Sequence, residues 1–97
     1  MSKKAYMVVD ARSSDPERMV EYRRLSQIAV DAFGARFLVR GAPYETFEGS
    51  WQPQRLVVVE FPSMDAARKF YDSPEYVAAR SARAGVSDFD MVLVEGY

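Results

Sequence analysis

Apolar residues recur along the chain in two alternating patterns, short runs rich in β-formers and longer stretches with helical spacing. Ala5 to Ala11 is the first short run and predicts a strand. Ser14-Asp15-Pro16-Glu17 then predicts a helix start. Asp15 caps with Pro16 as the first helical residue, and Ser14 with Glu17 offers a competing capping box. Met19, Tyr22, Leu25, Ile28, Ala29, Ala32 and Phe33 recur at three- and four-residue spacing as one stripe, and Gly34 suits a left-handed stop. Arg36 to Arg40 predicts a second strand, broken by Gly41-Ala42-Pro43 and extended through Tyr44 to Glu48. A turn-rich loop at Gly49-Ser50-Trp51-Gln52-Pro53 precedes a third strand, Arg55 to Phe61. Ser63 caps a helix carrying Ala66, Ala67, Phe70 and Tyr71. Helix restarts at Ser73-Pro74, continues from Val77 through Ala84 and ends at Gly85. Phe89 to Glu95 is the last strand. The order β-α-β-β-α-β predicts an α+β, ferredoxin-like domain over residues 1–97. Its sheet has four antiparallel strands in the order 4-1-3-2, with two helices on one face.

Side chains alternate across a strand, so parity divides the sheet into two faces. Ala5, Met7, Val9, Phe37, Val39, Val57, Val59, Phe61, Phe89, Met91 and Leu93 form a wholly apolar set, as a helix-covered face requires. The other set is Tyr6, Val8, Asp10, Arg36, Leu38, Arg40, Leu56, Val58, Glu60, Asp90, Val92 and Val94. Its aliphatic share is too large for a face left in water, so a second copy of the chain is expected to cover it. The antiparallel pairings set Asp10 near Asp90, and they bring Arg40, Glu60 and Tyr6 together towards the other end.

Composition narrows the chemistry. The chain has 97 residues and a net charge of −1, with 13 basic and 14 acidic side chains, so no global field recruits nucleic acid or anionic lipid. It has neither cysteine nor histidine, which excludes disulfides, thiolate nucleophiles and the commonest general base and metal ligand. No metal cluster, phosphate loop or RNA-binding strand signature is present, so no cofactor, metal or nucleic acid is expected. The apolar segment after Met1-Ser-Lys-Lys is too short for a signal peptide or a membrane span, and a cytoplasmic protein is expected.

Glu60 is the first candidate catalytic residue, a general base with Arg40 holding an anionic or carbonyl group in its planar fork. The structural alternative is a salt bridge between the two. Asp10 and Asp90 form a candidate like-charge pair in which one carboxyl keeps a proton. Tyr6 completes the catalytic set, and Arg36, on the same face, is a further ligand-binding candidate. Trp51 either lids a pocket or packs on the partner, and Tyr76 with Arg80, one helical turn on, meets a ligand at a cavity mouth or packs the surface. Tyr22 reads as a core or rim residue. Arg12, Arg18, Arg23, Arg24, Arg80 and Arg83 read as solvated helix-face charges balanced by nearby acids.

Gly34-Ala-Arg-Phe-Leu-Val-Arg-Gly41, Gly49-Ser-Trp-Gln-Pro-Gln-Arg-Leu-Val-Val-Val-Glu-Phe-Pro-Ser63, Phe70-Tyr-Asp-Ser-Pro-Glu-Tyr76 and Val94-Glu-Gly-Tyr97 together resemble the DUF1330 family. The resemblance implies a dimeric α/β barrel, in which two ferredoxin-like sheets pack open face to open face. Relatives within that superfamily include cofactor-independent monooxygenases, isomerases and haem enzymes. The absence of histidine speaks against haem here. Two functions follow as expectations. One is a cofactor-independent enzyme, isomerase or monooxygenase in type, acting on a small carbonyl or carboxylate compound between the sheets. The other is a non-catalytic homodimer that binds a small ligand or serves as a structural module.

Overall fold

A computed structural model describes residues 3–97. Met1 and Ser2, the start of the segment read for a signal peptide, lie outside the described residues. The elements are β1 (Ala5–Ser13), α1 (Pro16–Ala32), β2 (Arg36–Arg40), β3 (Leu56–Phe61), α2 (Met64–Asp72), α3 (Pro74–Arg83) and β4 (Ser87–Glu95). The strands form one antiparallel sheet in the order β2-β3-β1-β4, as the element order predicts. Among the described residues, no helix is long and apolar enough to cross a membrane.

Local chemistry sets the helix ends. Asp15 Oδ1 accepts hydrogen bonds from the backbone N–H groups of Glu17 and Arg18, satisfying two of the orphan donors of α1. Gly34, at φ 66°, carries the chain off its end. The second predicted helix is divided into α2 and α3 at Ser73. That hydroxyl donates to Phe70 O at 2.7 Å and accepts from Tyr76 N at 3.2 Å, closing one helix and opening the next. The buried stripe of α1 runs through Met19, Ser26, Ala29 and Val30, while Ile28 faces solvent. Met7, Val9, Val59, Phe61, Phe70 and Tyr76 meet it in the core.

Two sequence expectations are corrected. Tyr44 to Glu48 does not extend β2: no strand is assigned between Gly41 and Arg55. β3 begins only at Leu56, so residues beyond Gly41 have no ladder to join, and Gly41 N–H already bonds Leu56 O at 2.8 Å. Gly41 adopts φ 76°, and a Cβ there would collide with the Arg55 guanidinium. The second correction concerns parity. Phe37 pairs with Val59 but Val39 pairs with Val58, so Leu38 is an extra residue in a β-bulge. Beyond it the faces exchange. Val39 shares a rung with open-face Val58, and Arg40, opposite Val57, turns towards α1 instead of towards Glu60.

Candidate functional site

The open face of the sheet carries two ionic clusters. Asp10 and Asp90 are direct cross-strand partners, as expected. They do not stand as an unrelieved carboxylate pair, because Arg12, two residues along β1 on the same face, bridges them. Its Nη1 donates to Asp10 Oδ2 at 2.7 Å and its Nη2 to Asp90 Oδ2 at 3.1 Å, with Asp88 Oδ2 3.4 Å away. Burial works against the Arg12 charge, but its bonds to these aspartates win and hold the guanidinium above its ordinary range. Asp10 also accepts from Gln54 N at 3.0 Å and from Trp51 Nε1 at 3.4 Å. All its partners are donors, a set suited to a carboxylate. Asp10 is 6% exposed and Asp90 81%, so one oxygen pair is locked inside the fold while the other is bathed in water. Trp51 thereby folds over β1, and with Val8, Asp10, Asp90, Met91 and Val92 it rims a cavity of about 200 Å³.

At the opposite end Tyr6 lies across from Glu60, as expected, but Arg36 stands where Arg40 was placed. Glu60 Oε1 accepts from Arg36 Nε at 2.9 Å and Lys4 Nζ at 3.3 Å. Desolvation pushes the Glu60 carboxyl up, but the bonds from Lys4 and Arg36 outweigh it and hold the group below the usual carboxylate range. A carboxylate paired with two cations is a weak base. The expected Arg40–Glu60 pair is absent because the Leu38 bulge puts the two residues on opposite faces.

The second cavity lies on the other side of the sheet, between it and α1. It encloses about 40 Å³, with a wall of Met7, Val9, Val30, Phe37, Phe89 and Met91 among other residues, and it adjoins a groove of about 260 Å³. Tyr22 and Tyr76 join their hydroxyls at 2.8 Å on its wall. Burial, and then the neighbouring Tyr76, push the Tyr22 phenol well above the ordinary tyrosine range, so it stays a neutral hydroxyl. Tyr76, one of the sequence candidates, is therefore a buried wall residue. Its companion Arg80 lies over the Tyr71 ring at 4.3 Å and donates to Tyr71 O. Arg83 lies over Phe89 at 4.0 Å. The rings account for these two guanidiniums, whose Nε atoms are buried without a hydrogen-bond partner. Arg40 lines the same cavity, stacked on Phe37 at 4.0 Å and donating to Gln27 Oε1 and Arg23 O. Arg23 and Arg55 complete its edge.

Arg23, Arg55, Ser26 and Tyr22 were not candidates by sequence. Arg55 had a readable signal, since it shares the parity of Val57 and Val59 and is a lone charge on an otherwise apolar face. Arg23 lies four residues after Met19 and three before Ser26, on the edge of the buried stripe rather than among the solvated charges. Among the described residues, no group of three or more Asp, Glu, His or Cys side chains stands ready to hold a metal ion.

No functionally curated protein matches this sequence. Among solved structures, a protein of unknown function from Rhodopseudomonas palustris superposes with a TM-score of 0.78 at 17% identity, covering 100% of this chain and 85% of that one. A dimeric ferredoxin-like protein of unknown function from Jannaschia sp. CCS1 gives 0.70 at 13%, covering 96% and 99%. SnoaB, a cofactor-independent oxygenase from Streptomyces nogalater, gives 0.59 at 13%, covering 99% and 95%. At such identities the likeness is one of fold, which agrees with the ferredoxin-like sheet and its helix-covered face. The family comparison reaches further: residues 4–97 match the domain of unknown function DUF1330, and the chain belongs to that family.

Proposed function

We propose that the protein is a homodimer in which each protomer binds a small, largely apolar compound carrying a carbonyl or carboxylate group, in the cavity between α1 and the sheet. The observation behind this reading is the cavity itself. Its walls are apolar, it opens to a groove, and phenol hydroxyls and guanidiniums converge on it, the usual make-up of a small-molecule site. The dimer is supported by the open face, where Leu38, Val92 and Val94 are exposed and Trp51 shares a cavity rim with Val92. The Jannaschia neighbour is itself described as dimeric. In such a dimer Trp51 anchors the contact. Glu60, Asp10 and Asp90, each already paired with a cation, together with Tyr6 and Arg36, serve as interface groups rather than bases. Binding of this kind needs no cofactor, and the protein is read as cytoplasmic.

A thermal-shift screen against small carbonyl and carboxylate metabolites tests the reading, because a ligand that prefers the folded state raises the melting temperature. Ser26→Leu fills the cavity from α1. It is expected to remove the response to any hit while leaving the dimer intact. A hit that stabilises Ser26→Leu as much as the parent protein binds elsewhere and rejects the site.

One observation favours an enzyme reading as well. The Tyr22–Tyr76 hydroxyl pair gives the cavity a neutral donor able to polarise a carbonyl oxygen, which suits isomerisation or cofactor-independent oxygenation of the type SnoaB carries out. Under that reading Tyr22→Phe abolishes turnover of a stabilising compound and leaves its affinity within a few-fold. Unchanged turnover removes Tyr22 from the chemistry.

A further inference from the structure

Arg23, Arg40 and Arg55 converge where the helix-side cavity meets its groove. Arg55 Nη2 reaches Arg40 O at 3.5 Å and Arg40 Nη2 reaches Arg23 O at 3.2 Å, so backbone carbonyls hold the Arg55 and Arg40 side chains in place, while Arg23 lines the same cavity and groove. All three are half-buried. Among the described residues no carboxylate comes within 4.0 Å of any of them, although eight ion pairs serve other residues of the chain. Arg40 meets a neutral glutamine instead, and its face rests on Phe37. Burial first, and then the charges of Arg23 and Arg40, hold the Arg55 guanidinium below its ordinary value. Like charges gathered at a partly desolvated spot repel one another, and among the described residues only neutral acceptors meet them.

We propose that this cluster is an anion site, and that the ligand of the cavity is a small carboxylate. Its charged head lies among Arg23, Arg40 and Arg55, and its short apolar body enters between α1 and the sheet. The inference rests on the cavity being the ligand site and decides between the two head groups: a neutral carbonyl leaves the three cations uncompensated, whereas a carboxylate relieves them and accepts two hydrogen bonds from a planar fork. The cavity volume of about 40 Å³, little more than the roughly 30 Å³ share of one water in the liquid, restricts the body to about two or three carbons. Arg23 and Arg55 also border the groove, which gives the head its route from solvent.

The test compares propanoate and butanoate with their neutral counterparts, propanamide and 1-butanol, and with inorganic phosphate, by NMR titration of the full chain. The expected result is that at least one carboxylate shifts the resonances of Tyr22, Ser26, Val30 and Phe37, with affinity at least tenfold above its neutral counterpart and falling as salt rises. Arg23→Gln and Arg55→Gln are each expected to weaken the carboxylate about tenfold and leave the neutral compound unchanged. Circular dichroism checks that both variants fold, and Arg23→Lys, which keeps the charge, recovers part of the affinity. Neutral and anionic compounds binding equally at those residues would overturn the anion site and leave the cavity reading standing. Phosphate binding as tightly as the carboxylates shows that the apolar body contributes nothing, and rejects the small-carboxylate assignment. If no compound of either charge shifts these residues, the cavity reading fails and the anion site with it.

Discussion

Arg12 turns a facing pair of aspartates into a bonded network, and the cost of breaking it falls mainly on buried Asp10. Asp10→Asn keeps the size of the side chain but gives it an amide group among donors and removes the charge that Arg12 answers. Unfolding in urea is expected to show a loss of about 1–3 kcal/mol, the penalty for leaving buried polar groups without partners. Asp90→Asn, at a site 81% exposed, is expected to cost under about 1 kcal/mol. Equal losses would mean that the network, rather than burial, sets the energy. Glu60 carries a prediction about pH. Its folded carboxyl titrates below its ordinary value of 4.5, so its pairing stabilises the protein fully above that pH and the contribution is lost as pH falls through the folded value. Glu60→Gln should lower stability at neutral pH and flatten that part of the acid-stability curve, because the contribution it removes is the one the parent loses on acidification. Glu21, held low chiefly by its bond from Arg24, keeps its own share of the acid slope in that variant.

Ser73 and Leu38 show how single residues shape whole elements. Ser73→Ala removes the acceptor for Tyr76 N and the donor to Phe70 O at once, where α2 and α3 meet. Chemical denaturation should report a loss of about 1–2 kcal/mol. A loss below a few tenths would mean that Pro74 alone sets the start of α3. The caps at Asp15, Ser63 and Ser73 were readable because a cap depends on a few consecutive residues. The Leu38 bulge was not. A strand with one extra residue has the same local composition as a regular one, yet it moves Arg40 from one face of the sheet to the other. Arg40 was therefore identified as a ligand-binding candidate on the wrong side of the sheet, and the cavity it lines is the helix-side one.

At the scale of the whole molecule, the open face decides how the protein exists in solution. Val92 is 63% exposed and Val94 51%, and the loop that follows β2 leaves Phe47 at 88%. Closing two such faces together removes this apolar surface from water at about 25 cal/mol per Å². Sedimentation at micromolar concentration should therefore show a particle of twice 11.0 kDa. Val92→Lys sets two ammonium groups into the contact and is expected to shift the dissociation constant by at least tenfold towards monomers. Circular dichroism should stay unchanged, because Val92 takes no part in the core. A parent protein that sediments as a monomer would refute the dimer, while the helix-side cavity, enclosed within one chain, would still stand.

Element order, strand pairing, helix caps and the division of the sheet into a helix-covered face and a mixed open face followed from the sequence alone. Each depends on residues close together in the chain, or on a two- or three-to-four-residue period that repeats often enough to outweigh one irregular position. Tertiary structure alone decided which charges meet. Arg12 between Asp10 and Asp90, Arg36 in place of Arg40 beside Glu60, and the gathering of Arg23, Arg40 and Arg55 all turn on register to within one residue and on where a helix edge crosses a strand. A charge acts over a few ångströms, and that distance is set by the packing of segments far apart in the chain.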